Sequence, residues 1–272
     1  MIAKDRVKEI FLLALPILGG MLSQNLLNLI DAAMVGHLGP TALAAIGICS
    51  FINFMAAAAF IGMSVGVQAL VGRRVGEGRE NEAAQPLIAG LYINLFLAFP
   101  LSLGLILLSP SLLTFMLSDS ALIQESIPYL QSRFAGIAVM SMNFCFRGFF
   151  SGIKQTSVYL KTIISVHVVN VIISYVLIFG FGPIPAMGTV GAGIGTSAAL
   201  AIGTLMYLFY SQKNMRSYGF NLSLPSRLVF KHVVKIALPA SVQQFFFAAG
   251  FWVFNLSPRE LTAITTHNDH RE

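Results

Sequence analysis

Charged residues are scarce in this sequence: Asp, Glu, Lys and Arg make up 10% of its 272 residues, whereas 56% are hydrophobic. A soluble domain carries roughly 25% charged residues, so a soluble globular fold of this length is excluded. Disordered chains are poor in apolar residues, which excludes disorder as well. Cysteine is also rare, and two cysteines cannot build a disulfide framework or a cysteine metal site. The composition therefore predicts an all-α polytopic membrane protein.

Motifs of enzymes and of nucleic-acid-binding proteins are missing. The glycine-rich segment GRRVGEG (72–78) lacks the Lys-Ser/Thr pair that follows the second glycine of a phosphate-binding loop. There is no zinc-type histidine pair and no nucleophile elbow. The net charge of +6 comes from short basic clusters between apolar stretches. A nucleic-acid-binding protein instead concentrates its basic residues on one folded domain. We therefore expect neither an enzyme nor a nucleic-acid partner.

The long apolar runs divide into membrane spans, each of which needs about 20 residues. Asp31 is the one charged residue between positions 10 and 72, and a Gly-Pro pair at 39–40 divides this run in two. The run 162–212 carries no Asp, Glu, Lys or Arg and is divided by GFGPIPAMG (180–188). The first run is too long for a cleaved signal peptide. Seven spans are predicted, near 10–36, 41–71, 84–108, 127–149, 157–180, 188–211 and 236–258, with an interfacial stretch near 110–117.

Basic residues alternate between the loops in a way that predicts orientation. The loops after the first, third and fifth predicted spans contain no Lys or Arg. Basic residues precede the first span and follow the second, fourth and sixth: Lys4, Arg6, Lys8, Arg73, Arg74, Arg79, Arg147, Lys154, Lys161, Lys213, Arg216, Arg227, Lys231 and Lys235. Loops rich in Lys and Arg stay in the cytoplasm, so the N-terminus is predicted to be cytoplasmic.

Two segments late in the chain resemble two segments near its start. VKEIFLLALP (7–16) aligns with FKHVVKIALP (230–239), and LGPTALAAI (38–46) aligns with LSPRELTAI (256–264). Similar offsets favour a duplicated six-span unit, with chance similarity between apolar helices as the alternative. A complete duplicate would need about 446 residues. We therefore expect a first six-helix repeat (1–213), a cytoplasmic linker (214–230), and the first helix of a truncated second repeat with a polar tail (231–272).

Polar residues inside the spans indicate an ion site. Asp31 is the one acidic residue deep in an apolar run, where a carboxylate costs about 2.5–3.5 kcal/mol. Gln24 and Asn28 lie on the same helix face as Asp31. The fifth predicted span, called pass five below, carries polar residues at the same spacing in reverse order. These stripes, with pass six, could close an oxygen-lined site for Na⁺ or a carboxylate that binds H⁺. The candidates are Gln24, Asn28 and Asp31 in pass one, His167, Asn170 and Ser174 in pass five, and Thr196 and Ser197 in pass six.

Structural roles compete with that hypothesis. Amide side chains in membrane helices often hold helices together, and His167 is favoured as a hydrogen-bonded packing residue. Asp31 lies near one end of its span and could reach water. Arg133, inside pass four, is expected to extend to the outer interface along its aliphatic stem. Pro16 removes a backbone hydrogen bond from pass one, which makes it either a functional hinge or a tolerated kink.

Four segments together resemble the multidrug and toxic compound extrusion (MATE) transporters: LALPILGGMLSQNLLNLIDAAMVGHLG (13–39), GVQALVGRRVGEG (66–78), RGFFSGIKQTSVYLKTIISVHVVNVIISYVLIFG (147–180) and MGTVGAGIGTSAA (187–199). The resemblance implies twelve spans in two six-helix lobes. It also implies export of drugs or organic cations in exchange for H⁺ or Na⁺, without a cofactor, across the inner membrane of a prokaryote. The substrate cavity of such a transporter lies between the lobes.

The resemblance also carries residue roles. Asp31 matches the first-helix Asp of the family's cation site, and Asn170 and Thr196 match further polar positions of that site. Ser174 stands where one prokaryotic branch has a second Asp, so the choice between H⁺ and Na⁺ stays open, and a metal is expected only as Na⁺ at Asp31. Pro16 matches the first-helix proline at which that helix bends.

The sequence therefore favours a secondary antiporter in a truncated form, which alone would not catalyse efflux. Its expected partners are a drug or organic cation, the bilayer, and either the missing second lobe or a second copy of the chain. The alternative is an inactive half or a non-transporting interaction protein. A lipid-linked oligosaccharide flippase is less favoured, since Arg133 alone supplies a basic residue away from the ends of a span. Pass seven, without partners from its own lobe, is expected to pack loosely.

Overall fold

The computed structural model describes residues 4–221 and 223–255, with side chains from 11–221 and 223–250. Helices dominate this part of the chain, and an isolated bridge between Phe181 and Ile184 is its one β-type pairing. The α-helices are α1 (Lys4–Gly36), α2 (Pro40–Gly76), α3 (Gln85–Ile93), α4 (Phe99–Met116), α5 (Ser120–Ala135), α6 (Ile137–Gly152), α7 (Thr156–Phe179), α8 (Gly188–Asn214) and α9 (Arg227–Asn255). The repeat segment 256–264 and the polar tail lie outside the described residues.

The helices combine into the number of spans that the apolar runs predict. A π-helical turn, Asn94–Ala98, joins α3 to α4 in one span. The pair α5 and α6 is bent by 40° at Gly136. Within the described residues, six helices are long and apolar enough to cross a membrane, and the bent pair raises the number to seven. The prediction of an all-helical membrane protein with a six-helix lobe and a seventh helix is confirmed at this level.

The predicted interfacial stretch at 110–117 is instead a continuation of α4, which runs through Pro110 to Met116. A proline inside a helix leaves the carbonyl four residues earlier without its backbone donor. That carbonyl belongs to Ile106, and it accepts hydrogen bonds from the Ser109 hydroxyl (2.7 Å) and the Gln131 side-chain amide (3.3 Å). These two donors replace the missing bond, so the helix continues.

Helix α2 lies at the centre of the bundle and packs against α9, α6 and α5. Two apolar clusters fill the two ends of the bundle. The first lies at the basic end, which carries Arg73 and Arg74 of α2, and includes Val67, Val71, Leu87, Phe146 and Phe149. The second lies towards the opposite end and includes Met34, Cys49, Leu130, Phe134 and Ile178. The second cluster lies close to the polar side chains described below.

The expectation that pass seven packs loosely is wrong for α9. Two small residues of α2, Gly62 and Gly66, let the backbones of α2 and α9 approach. A Cβ atom on Gly66 would lie 3.0 Å from both the Val233 carbonyl oxygen and the Ala237 Cβ, and one on Gly62 would collide with the Ala237 carbonyl. Small residues at a membrane helix interface maximise such backbone contact. Helix α9 therefore obtains from α2 the packing that a second lobe was expected to supply.

The stretch 215–221, between α8 and α9, packs against the basic end. It contains a 3₁₀ turn, Arg216–Tyr218, whose Tyr218 carbonyl accepts a hydrogen bond of 2.9 Å from the Ala84 backbone N–H. Met215 and Phe220 are buried in the basic-end cluster. Helix α9 begins at Arg227, so the last part of the range predicted as a linker, 214–230, is helical.

Candidate cation site

Helices α1 and α7 lie side by side and run in the same direction. Gly20 of α1 faces the Tyr159 ring, and further along the Ser23 hydroxyl meets His167 at 2.6 Å. At the far end the His37 ring packs edge-on against Phe179 with centroids 6.5 Å apart. Contacting residues are 143 or 144 positions apart in the middle of this interface. At that separation Asp31 of α1 is level with Ser174 of α7.

Two turns closer to the basic end, His167 connects the two polar stripes. Its Nε2 lies 3.2 Å from the Gln24 side-chain carbonyl, so Nε2–H donates there and Nδ1 accepts from the Ser23 hydroxyl. The Gln24 amide donates to the Asn28 side-chain oxygen at 3.2 Å. Both ring nitrogens of His167 are therefore used in holding α1 to α7, as the packing interpretation of this residue expects. Gln24 and Asn28 are exposed residues of α1 and lie apart from the buried group described next.

A group of buried polar atoms lies around the level of Asp31. The Asp31 Oδ1, both side-chain amide atoms of Asn170 and the Ser174 hydroxyl are buried and have no hydrogen-bond partner among the described residues. Asn170 is 1% exposed and Ser174 is 0% exposed. Buried polar atoms in proteins are almost always hydrogen-bonded to protein or to water. An unpartnered carboxylate, amide and hydroxyl on two adjacent helices are therefore free to coordinate a cation through oxygen or to exchange a proton.

Helix α8 brings Thr196 to the same level. Its neighbour Gly195 lies directly against Ser174, where an added Cβ would collide with the Ser174 hydroxyl. The Thr196 hydroxyl donates to the Ala192 carbonyl at 2.9 Å, so its proton is engaged while its oxygen lone pairs stay available. The structure thus places Asp31, Asn170, Ser174 and Thr196 on three neighbouring helices near one depth. Pro16 lies elsewhere, within the uninterrupted helix α1.

Arg133 of α5 belongs to this level too, which sequence reasoning missed. The Ser197 hydroxyl donates to the Ser132 carbonyl at 2.7 Å, and Arg133 is the next residue of α5. Its Nε is buried without a hydrogen-bond partner among the described residues. The expectation that Arg133 extends to the outer interface along its aliphatic stem stays a prediction, since the side chain is half-buried. The sequence does distinguish Arg133, because it is the one basic residue that lies away from the ends of a predicted span.

Comparison with known families identifies the kind of protein to which this geometry belongs. The model of the MatE family matches residues 16–176. A protein of Mannheimia succiniciproducens named "Probable multidrug resistance protein NorM" is 26% identical over 271 residues, which cover 97% of this chain and 58% of the relative. A protein of the same name from Oceanobacillus iheyensis is 28% identical over 248 residues, 89% of this chain and 55% of the relative.

Solved structures share the fold. One, described as an outward-facing conformation of a multidrug resistance MATE family transporter of the MOP superfamily, aligns with a TM-score of 0.82 at 24% identity. The alignment covers 90% of this chain and 54% of that one. A MOP superfamily transporter from Pyrococcus furiosus aligns with a TM-score of 0.80, also at 24% identity. The chain spans about half the length of the curated relatives it matches and corresponds to their N-terminal lobe.

Proposed function

The chain belongs to the MATE family of non-enzymatic membrane transporters, and on that premise we propose that it is the cation-coupling lobe of a secondary antiporter. The antiporter exports drugs or organic cations in exchange for H⁺ or Na⁺. The observation that carries this proposal is the group of buried, unpartnered polar atoms on Asp31, Asn170 and Ser174.

The chemistry of the group suits a small monovalent cation. Alkali and other hard cations prefer oxygen ligands, and the carboxylate of Asp31, the amide oxygen of Asn170 and the hydroxyl of Ser174 are all oxygen donors. Ionisable residues inside a membrane span mark ion pathways and proton relays. Asp31 supplies the one formal negative charge of the group, so a single H⁺ or Na⁺ neutralises it. Thr196 adds a fourth oxygen.

The remaining candidate residues, Gln24, Asn28 and Pro16, position or bend α1 in this proposal. Gln24 and Asn28 hold α1 to α7 through His167, on the side of the site nearer the basic end. Pro16 leaves α1 one backbone hydrogen bond short, which makes the helix easiest to bend there. We propose that α1 bends at Pro16 when the cation binds or leaves, because Asp31 lies on that helix.

The basic end of the bundle supports a proposal for the orientation in the membrane. Arg73, Arg74 and Arg79 lie together there, and loops rich in basic residues stay in the cytoplasm. We propose a multi-pass protein of the prokaryotic inner membrane with its N-terminus in the cytoplasm, since its curated relatives include bacterial proteins. Substrate would then leave at the opposite end, where α1 and α2 meet.

The substrate cavity requires a second lobe. Alternating access in parallel-repeat transporters moves one bundle against another around a site between them. The described residues supply one bundle together with α9, so we propose that efflux requires the partner lobe, from a longer chain or a second copy. A non-transporting interaction protein is the competing interpretation, and it predicts no cation binding at Asp31.

The test measures cation binding by the purified 272-residue chain in detergent. Binding of ²²Na⁺ and proton uptake after a pH jump are both measured for the wild type and for Asp31→Asn. We expect the wild type to bind one of these cations and Asp31→Asn to lose that binding. The matched control is Asp119→Asn, which makes the same chemical change at the exposed N-cap of α5. Equal binding by wild type and Asp31→Asn would overturn the proposal.

A further inference from the structure

One continuous set of contacts places four helices at the same depth. Asp31 of α1 is level with Ser174 of α7, as the α1–α7 contacts require. Ser174 lies against Gly195 of α8. Two residues further, the Ser197 hydroxyl bonds the Ser132 carbonyl of α5 at 2.7 Å. Arg133 directly follows Ser132, so Arg133 and Asp31 occupy one polar layer of the bundle, which we call the Asp31 layer.

The apolar neighbours of these two residues belong to one cluster. Met34, one turn after Asp31, belongs to the same cluster as Leu130 and Phe134, which flank Arg133. Leu130 and Phe134 are both 0% exposed. Arg133 therefore lies next to fully buried apolar residues of the bundle interior, on the same layer as Asp31. The Nε of Arg133 and the Oδ1 of Asp31 are both buried without hydrogen bonds.

Other carboxylates near α5 already have partners. Glu125, two turns before Arg133, accepts a hydrogen bond of 2.6 Å from the Thr189 hydroxyl. Asp119 accepts from the backbone N–H groups of Ala121 and Leu122 as the N-cap of α5. Among the described residues, Asp31 is thus the carboxylate that shares a layer with Arg133 and still has an unpartnered oxygen.

We infer that Arg133 is the resident counter-charge of Asp31 and that it shares this carboxylate with the transported cation. This inference rests on the proposed cation site and adds a residue that determines its affinity. The guanidinium balances Asp31 when no cation is bound. A cation that enters the layer meets the positive charge of Arg133, which weakens its binding and favours its release. An ion site in a transporter must bind strongly enough to load and weakly enough to unload.

A double-mutant cycle tests the pairing without reference to the identity of the cation. The melting temperature of the purified chain is measured for wild type, Asp31→Asn, Arg133→Gln and the double variant at one fixed salt concentration and pH. Each single change leaves one charge of the layer uncompensated, so each is expected to lower the melting temperature. The double variant is expected to melt above the value that adding the two losses predicts. Arg133→Lys, which keeps the charge, is expected to retain most of the stability.

The control cycle uses an arginine in a different environment. Arg147 of α6 is also half-buried, but its guanidinium lies over the rings of Phe144 (6.0 Å) and Tyr159 (5.9 Å). The losses of melting temperature caused by Arg147→Gln and by Asp31→Asn are expected to add in the double variant. If the Arg133 cycle is as additive as the Arg147 cycle, the pairing is wrong.

A separate measurement tests whether Arg133 and the cation share the Asp31 carboxylate. With Arg133→Gln, the cation concentration that half-saturates Asp31 is expected to fall about fivefold, because the positive charge that competes with the cation has been removed from the layer. Arg147→Gln should leave it unchanged. An unaltered half-saturation in Arg133→Gln would overturn the inference even if Asp31→Asn still abolishes binding. Conversely, if Asp31→Asn leaves cation binding intact, the proposed function fails, while the melting cycle still decides whether the two charges are paired.

Discussion

The Ser23 hydroxyl of α1 lies 2.6 Å from Nδ1 of His167 on α7, and this contact aligns the two polar stripes of the lobe. Because the two helices are parallel, that one pairing places Asp31 level with Ser174 two turns further along. The hydrogen bond between Nε2 of His167 and Gln24 is 3.2 Å long and reinforces the same alignment.

His167→Leu should therefore destabilise the lobe. The change leaves the Ser23 hydroxyl and the Gln24 carbonyl without their partner, which costs about 1–2 kcal/mol of unfolding free energy. The melting temperature of the purified chain measures the loss. Ser165→Ala is the control on the same helix, because its exposed hydroxyl bonds only the Lys161 carbonyl of its own turn. A His167→Leu variant as stable as Ser165→Ala would show that His167 does not align the helices.

Gly62→Ala should separate α9 from α2. The new methyl group would collide with the Ala237 carbonyl, and backbone shifts of this kind cost about 1–3 kcal/mol. Limited proteolysis at 219–226, where the chain enters α9, should become faster, and the melting temperature should fall. Gly47→Ala is the matched control. Gly47 lies on the same helix, and no atom from outside its own helix turn lies within 4 Å of the added Cβ. Equal proteolysis of the two variants would contradict the close packing of α2 and α9.

The orientation is tested by labelling single cysteines with a membrane-impermeant maleimide in intact cells. We expect His37→Cys and Pro183→Cys to react from outside, and Arg79→Cys and Arg216→Cys to react only after the membrane is permeabilised. The native Cys49 and Cys145 are buried, so their background labelling should be low. External labelling at position 79 would reverse the assigned orientation.

Transport by the chain alone is expected to be absent. The purified 272-residue protein in proteoliposomes, with an imposed H⁺ or Na⁺ gradient, should not move ethidium, because one bundle cannot enclose a cavity that two bundles share. Cation binding measured on the same preparation shows whether the lobe is folded. Gradient-dependent ethidium transport would contradict this prediction, and cross-linking would then test whether two copies of the chain form the transporter.

The sequence predicted the spans well because a bilayer imposes a length and an apolar composition on each helix. It did not predict the continuation of α4 past Pro110, since the donors that replace the missing bond, Ser109 and Gln131, lie on two different helices. It also did not predict the packing of α9, because the fit of Gly62 and Gly66 to Ala237 depends on which helix becomes a neighbour.

In the candidate site, too, some features were predictable from the sequence and others depended on the tertiary structure. Asp31 stands out in the sequence because a carboxylate is costly in an apolar run, and the helical period puts Gln24 and Asn28 on its face. Which face of α7 meets α1, and at what depth, was decided by the contact of Ser23 with His167. The presence of Arg133 in the Asp31 layer was decided by the bond from Ser197 to the Ser132 carbonyl. A sequence records the residues of each helix, whereas interhelical packing decides which of them share a layer, because apolar helices can pack on one another at many relative depths and rotations.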